Sequence, residues 1–331
     1  MTGPGPLNLI TDVAGLSVGH ATDEGARTGV TVALLPGGWT AAVDIRGGGP
    51  GERETAPLGL ENLVGRAHAV VLTGGSVFGL AAADGVCAAL SARGEGLALG
   101  PTAVPIVPAA VLYDLANGGD KAWGLDPPYR RLGIKAEAAA GERFALGAVG
   151  AGRGAQAGRR QGGVGSASVD LGEGVMVGAL VAANPLGSAL MPDDRTFWAW
   201  PFEMGGEFGG ARPAADLVAH DPVPELSRLA PAGLQAGTAT TIALVATSAE
   251  LTAPECKRVA MMAHDGLARA VRPAHTPFDG DTVFAAAPAS GGVPLPAESR
   301  WGRVARIGSA AADCLARAIA RAVWEAGRGQ A

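Results

Sequence analysis

Along the chain, short apolar and β-branched runs recur between Gly and Pro: residues 29–35, 40–45, 69–73, 143–149, 175–183, 240–247 and 282–287. Several are continuously apolar rather than alternating, the pattern of strands covered on both faces. Three other stretches carry helical spacing. Residues 76–93 follow Gly74-Gly75 with Ser76 in the N-cap place. A second helix opens on Thr252-Ala-Pro-Glu255, a capping-box spacing, and aligns Val259, Met262, Ala263 and Leu267 through residue 271. The third, 309–326, aligns Ala312, Leu315, Ile319 and Val323. Strands and helices mixed in this way predict a layered α/β (α+β) domain with helices outside the sheets. Two stretches read as exposed loops. Residues 185–213 interleave Phe197, Trp198, Trp200 and Phe202 with Pro, Gly and acidic residues, and residues 221–239 run directly into Thr240-Thr241-Ile242.

Composition narrows the function classes. With 48% hydrophobic and 17% charged residues, the 331-residue chain has material for a large core. A net charge of −5 and the absence of a Lys/Arg run argue against nucleic acid as a partner. The three cysteines, Cys87, Cys256 and Cys314, are widely spaced and odd in number, which fits a reducing compartment without disulfides. No signal-like leader and no bilayer-length apolar run are visible, so a soluble, cytoplasmic protein without membrane partners is expected. The histidines at 20, 68, 220, 264 and 275 form no ligand spacing, so no metal is expected. His264 reads as a structural hydrogen-bonding residue. The Gly74–Gly79 turn lacks the Lys of a phosphate loop and the G-x-G-x-x-G spacing of a dinucleotide fingerprint, so no cofactor is expected either.

The remaining chemistry gathers in three places. A threonine hydroxyl is a weak nucleophile unless a base adjoins it, and a threonine that begins a chain carries that base as its own α-amine. Thr240, after the small residues Gly237-Thr238-Ala239 and at the start of a strand-like run, has the right setting, although many loops end in Thr at a strand start. Asp279 and Asp281, separated by Gly280, could hold and polarise such a threonine, or could form an ordinary loop. Arg46-Gly-Gly-Gly-Pro-Gly51 permits close backbone approach and reads equally as a turn or a substrate-lining loop.

Taken together, residues 10–20, 46–55, 72–80, 162–168, 177–184, 240–247, 263–269 and 275–284 resemble in order a self-processing family. It comprises L-aminopeptidase/D-Ala-esterase amidases, β-peptidyl aminopeptidases and nylon-oligomer hydrolases. The resemblance implies a four-layer αββα sandwich similar to N-terminal-nucleophile hydrolases but connected differently. It also implies a single domain cut into fragments 1–239 and 240–331, and assembly as a homo-oligomer, often a tetramer. Thr240 falls on the nucleophile, Asp279 and Asp281 on its acidic pair, Asn184 on an oxyanion-site asparagine and Tyr113 on an active-site tyrosine. Threonine with two aspartates looks like the nylon-oligomer branch. Two positions depart from the family: Gln161 stands where Lys is usual, and Ala239 precedes the nucleophile where the nylon branch has Asn. The resemblance implies a small peptide, β-peptide or amide oligomer as substrate. Two rivals stay open, an uncleaved member that only binds small amines or amides, and a transferase or carbohydrate-binding protein whose Thr240 merely starts a strand.

Overall fold

The computed structural model describes residues 2–229 and 238–328. Nine strands form one mixed sheet: β1 (Ser17–Asp23), β2 (Thr28–Ile45), β3 (Glu52–Arg53), β4 (Arg66–Thr73), β5 (Ala109–Val111), β6 (Gly163–Asp170), β7 (Met176–Asn184), β8 (Thr240–Thr247) and β9 (Thr282–Ala287). Their order is β6-β7-β8-β9-β2-β4-β5-β3, with β1 paired to β2. Continuity depends on β2. Its first half pairs with β1 and β4, its last six residues pair with β9, and the register to β4 slips between Leu34 and Trp39. Pro36, which has no N–H, sits there beside Gly37 and Gly38 at φ 73° and 80°. Such a break kinks a strand. The two runs predicted at 29–35 and 40–45 are therefore one bent strand shared by two layers.

Buried side chains sort into those layers. Val30, Val32 and Val71 pack with Val86, Leu90 and Leu132 of helices α1 (Ala81–Ala92) and α2 (Tyr129–Ala138). Val181, Ala243, Val245 and Val283 pack with Leu267, Leu315 and Ile319 of α3 (Ala253–Ala270) and α4 (Arg300–Arg328). A third cluster contains no residue of these helices; it joins Leu35 and Leu72 from one half of the sheet to Leu180, Ile242, Leu244 and Phe284 from the other. Helices, sheet, sheet and helices thus stack as the expected four-layer αββα sandwich.

Local signals succeeded where side chains act on their own backbone. The α3 cap forms as predicted: the Thr252 hydroxyl accepts from Glu255 N–H, and the Glu255 carboxylate accepts from Thr252 N–H. They failed where distant contacts decide. Residues 76–80 form a 3-10 turn with Ser76 at φ 51°, so Ser76 is not the N-cap of α1. Helix α4 begins at Arg300, well before 309, because the Arg300 guanidinium grips Glu255 at 2.6 and 2.7 Å. Residues 143–149 contribute only a bridge, Gly147 to Val164, and no strand. Strand β6 and helix α2 had no periodic apolar signal; β6 is built of Gly, Ser, Ala and Val, and α2 is charge-rich. Residues 185–213 are irregular apart from a short turn at Trp200–Phe202, and 230–237 of the second predicted loop lie outside the described residues. Among the described residues no helix is long and apolar enough to cross a membrane.

Helix α4 carries one ionic anchor. Arg317 is fully buried; its guanidinium donates to Glu207 at 2.5 and 3.0 Å, to the Ser168 carbonyl at 2.8 Å and to Asn8 Oδ1 at 2.8 Å. This ties the N-terminal segment, β6 and the 185–213 loop to the helix. Removing Arg317 leaves the buried Glu207 with only the longer contact to Arg321 Nε at 3.7 Å as a cationic partner, so Arg317→Ala should cost about 3–5 kcal/mol. A urea midpoint equal to wild type would refute this.

Candidate active site

Thr240 is the first residue of β8 and shares a strand face with Ile242, Leu244 and Ala246, which lie in the inter-sheet cluster. The nucleophile candidate therefore stands at the end of the space between the two sheet layers, 2% exposed. Asn184, last residue of β7, lies directly opposite it in the antiparallel ladder. On the other side runs β9, entered through Asp279-Gly280-Asp281.

The two carboxylates brace backbone. Asp281 Oδ1 accepts from Thr241 N–H at 2.8 Å, while Oδ2 accepts from His275 N–H at 3.1 Å and His275 Nδ1 at 2.8 Å. An ionised carboxylate only accepts, so Nδ1 carries the ring proton. Asp279 Oδ1 accepts from Leu186 N–H at 3.1 Å, and Oδ2 from Thr276 N–H at 3.0 Å and the Thr276 hydroxyl at 2.6 Å. Neither touches the Thr240 hydroxyl, which instead donates to the Ala239 carbonyl. That same carbonyl accepts from Gly280 N–H at 3.0 Å. The pair holds the chain on both sides of the hydroxyl; it does not polarise the hydroxyl directly.

Burial, then repulsion from Asp281, lifts the Asp279 carboxyl above its ordinary range, outweighing the donors around it. A compensating cation is close. Arg228 donates from Nη2 to the Asn184 and Pro185 carbonyls at 2.9 and 3.0 Å. Burial pulls its pKa down to about 10, with Asp279 opposing the shift. Behind His275 lies the His264 ring, 4.9 Å between centroids, with Nε2 bonded to the Asp44 carbonyl at 3.0 Å. Burial lowers His264 to about 4, so it is neutral at pH 7 and serves the structural role expected of it.

The glycine loop is accounted for by contact. A Cβ at Gly47 would sit 2.3 Å from Asp281 N, and one at Gly48 2.7 Å from Pro277 Cα. Gly49 N–H donates to the Asp279 carbonyl at 2.8 Å. A Cβ at Gly280 would lie 2.8 Å from Thr240 Oγ1 and 2.7 Å from the Gly49 carbonyl. Beyond this packing, Gly49, Pro50 and Gly51 help line a cleft of ≈ 550 Å³ that contains Thr240. The loop is both a close approach and a cleft wall.

Tyr113 lines the same cleft, and its carbonyl accepts from Asn184 Nδ2 at 3.1 Å. Asn184 Oδ1 is taken by Gln156 N–H at 2.8 Å, which orients the amide. Thr240, Asp279, Asp281, Asn184 and Tyr113 are thus brought together. Gln161 is not: it lines a separate cleft of ≈ 510 Å³ beside Phe197 and Trp324, and its amide donates to the Ala155 carbonyl at 3.0 Å. Sequence reasoning missed Gly280 N–H, His275 as the partner of Asp281, and Arg228. His275 could have been found from its place in the same short motif; a lone Arg in a Pro-rich loop offers no signal.

Because the loop meets backbone atoms that cannot swing away, Gly47→Ala should lose about 1–3 kcal/mol of stability. Gly302→Ala, with nothing within 4 Å of the added carbon, should lose none. Equal denaturation midpoints for the two variants would refute the close-approach account.

Comparison with known proteins bears on this site. Residues 8–330 match the model of peptidase family S58. An uncharacterized aminopeptidase of Mycobacterium tuberculosis (strain ATCC 25618 / H37Rv) is 44% identical over 97% of this chain and 94% of its own. A 6-aminohexanoate-oligomer endohydrolase of Kocuria sp. is 32% identical over 97% of this chain and 85% of its own. Among solved structures, a Burkholderia sp. beta-aminopeptidase superimposes with a TM-score of 0.71 at 24% identity, covering 97% and 88% of the two chains, and supports the fold. The chain belongs to peptidase family S58 and is a hydrolase acting on peptide or amide bonds.

Proposed function

We propose that the protein cuts its own Ala239–Thr240 bond and then works as an N-terminal-threonine amide hydrolase. One observation carries this reading: the Thr240 hydroxyl and Gly280 N–H meet at the carbonyl of Ala239, beside a cleft. The N–H polarises that carbonyl, and the hydroxyl belongs to the adjoining residue. Attack of Oγ1 on the Ala239 carbon forms an ester as the C–N bond breaks, and the Thr240 nitrogen takes the hydroxyl proton. Water then hydrolyses the ester, leaving a carboxylate on Ala239 and a free threonine. Fragments 1–239 and 240–331 stay joined because β8 and β9, both from the second fragment, pair with β7 and β2 of the first.

In the mature form the Thr240 amine, with an ordinary pKa of about 7.7–8, takes the hydroxyl proton during attack on the substrate. Asp281 anchors the next peptide N–H, so the amine and hydroxyl keep their orientation. Asn184, held at Oδ1 by Gln156 N–H and donating one amide proton to the Tyr113 carbonyl, stands opposite Thr240 in the ladder, and its second amide proton with Tyr113 stabilises the oxyanion. Small peptides, β-peptides or amide oligomers are the substrate class, in keeping with the relatives' names. Assembly of cleaved pairs into a cytoplasmic homo-oligomer completes the reading. Gln161, which lines the separate cleft beside Phe197 and Trp324, is given no step in this reading. Ala239, 1% exposed, is small enough for the tight bridge it makes to Asp279.

Denaturing mass spectrometry tests the first step: purified wild type should give two fragments parting at residue 240, and Thr240→Ala a single chain with no amidase turnover. An intact wild-type chain with normal amidase activity would defeat the proposal. Asn184→Ala should lower kcat about 10²–10³-fold, as loss of one oxyanion donor does; an unchanged kcat removes Asn184 from the oxyanion site.

A further inference from the structure

Cutting the Ala239–Thr240 bond would change the charge of a buried place. In the uncut chain Ala239 offers a neutral carbonyl, bonded to Gly280 N–H at 3.0 Å, and its backbone bridges to Asp279. Hydrolysis of the ester turns that carbonyl into a carboxylate and adds a negative charge beside Asp279 and Asp281. Burial and Asp281 already hold the Asp279 carboxyl above its ordinary range. A third carboxylate there is strongly disfavoured unless a cation meets it.

Most cations nearby are spent. His264 is neutral at pH 7, and the Nδ1 proton of His275 goes to Asp281. Arg46 and Lys257 are held by Asp44 at 2.9 and 2.7 Å. Arg228 is not spent. Its Nη2 donates to the Asn184 and Pro185 carbonyls, but its Nε is buried without a partner. No carboxylate among the described residues forms an ion pair with it; Asp279 acts on it only from a distance. Its place also fits. Arg228 N–H donates to the Leu186 carbonyl at 2.9 Å, and Leu186 N–H donates to Asp279 Oδ1 at 3.1 Å. Asn184, whose carbonyl Arg228 grips, lies opposite Thr240 in the ladder. Arg228 and Ala239 are thus anchored on the same residue, Asp279, one as an uncommitted cation and the other as a future anion.

We infer that Arg228 receives the new C-terminal carboxylate of fragment 1–239 through its free Nε–H. This inference rests on the self-cleavage reading and bears on the nucleophile. A carboxylate left at Thr240 would pair with the new α-amine and hold it protonated, and a protonated amine cannot accept the hydroxyl proton. By drawing the carboxylate away, Arg228 keeps the amine free and the cleft open to substrate.

A crystal structure of the purified wild-type protein tests the contact directly. The Ala239 carboxylate should lie within hydrogen-bond distance of Arg228 Nε. A cut chain with that carboxylate in solvent, or on the Thr240 amine, overturns this inference alone. An uncut chain overturns it together with the self-cleavage reading. Urea denaturation at equal protein concentration separates the contact from ordinary packing. Arg228→Gln should raise the unfolded-to-folded ratio about ten-fold more in the cut protein than in the uncut Thr240→Ala chain. An equal cost in both backgrounds marks Arg228 as merely structural and overturns the inference. Arg228→Lys, which keeps the charge, should show a smaller excess of the same sign, and no excess for either variant counts against the contact.

Discussion

The site depends on a carboxylate accepting a backbone N–H. Asp281 fixes Thr241, and with it the start of β8, by a 2.8 Å bond from a fully buried oxygen. Charge-assisted bonds of this kind are about twice as strong as neutral ones, and here the acceptor's second oxygen is held by two donors of His275. Thr240 is thereby seated between a ladder partner on β7 and the turn that carries Gly280. A hydroxyl on a loose loop would sample many directions; one on a strand end tied from both sides does not.

Placing two carboxylates so close carries an electrostatic cost, visible in the raised Asp279. The fold offsets it with backbone donors and with Arg228, whose own burial weakens its hold on its proton. Each charge is made tolerable by the others, so the segment 275–281 and Arg228 behave as one unit. On acidification the raised Asp279 would take up a proton more readily than an ordinary aspartate. The Thr276 hydroxyl and Leu186 N–H contacts would weaken with it.

Geometry at the cleft is set by absence of side chains as much as by their presence. Gly47, Gly48 and Gly280 let three backbone segments approach within contact beside the buried Thr240. The open side is bounded by residues of the opposite sheet layer, from β3, β5 and the 76–80 turn. Thr240 and the cleft wall facing it therefore come from different layers, which the bent strand β2 joins.

What the sequence determined by itself was local or pattern-borne: the buried strands at 69–73, 175–183, 240–247 and 282–287, the Thr252 cap, and the ordered motifs whose resemblance to a family led to the expectation that Thr240, Asp279, Asp281, Asn184 and Tyr113 share a site. These follow from short-range hydrogen bonding and from residue types that tolerate few alternatives. The tertiary structure alone decided that 29–35 and 40–45 are one bent strand, and that β6 forms from small residues between β7 and α4. It also decided that Gln161 faces a different cleft and that Arg228 has a place near Thr240. Those outcomes turn on contacts between residues far apart in the chain, where a side chain's surroundings, rather than its neighbours in sequence, set its energy.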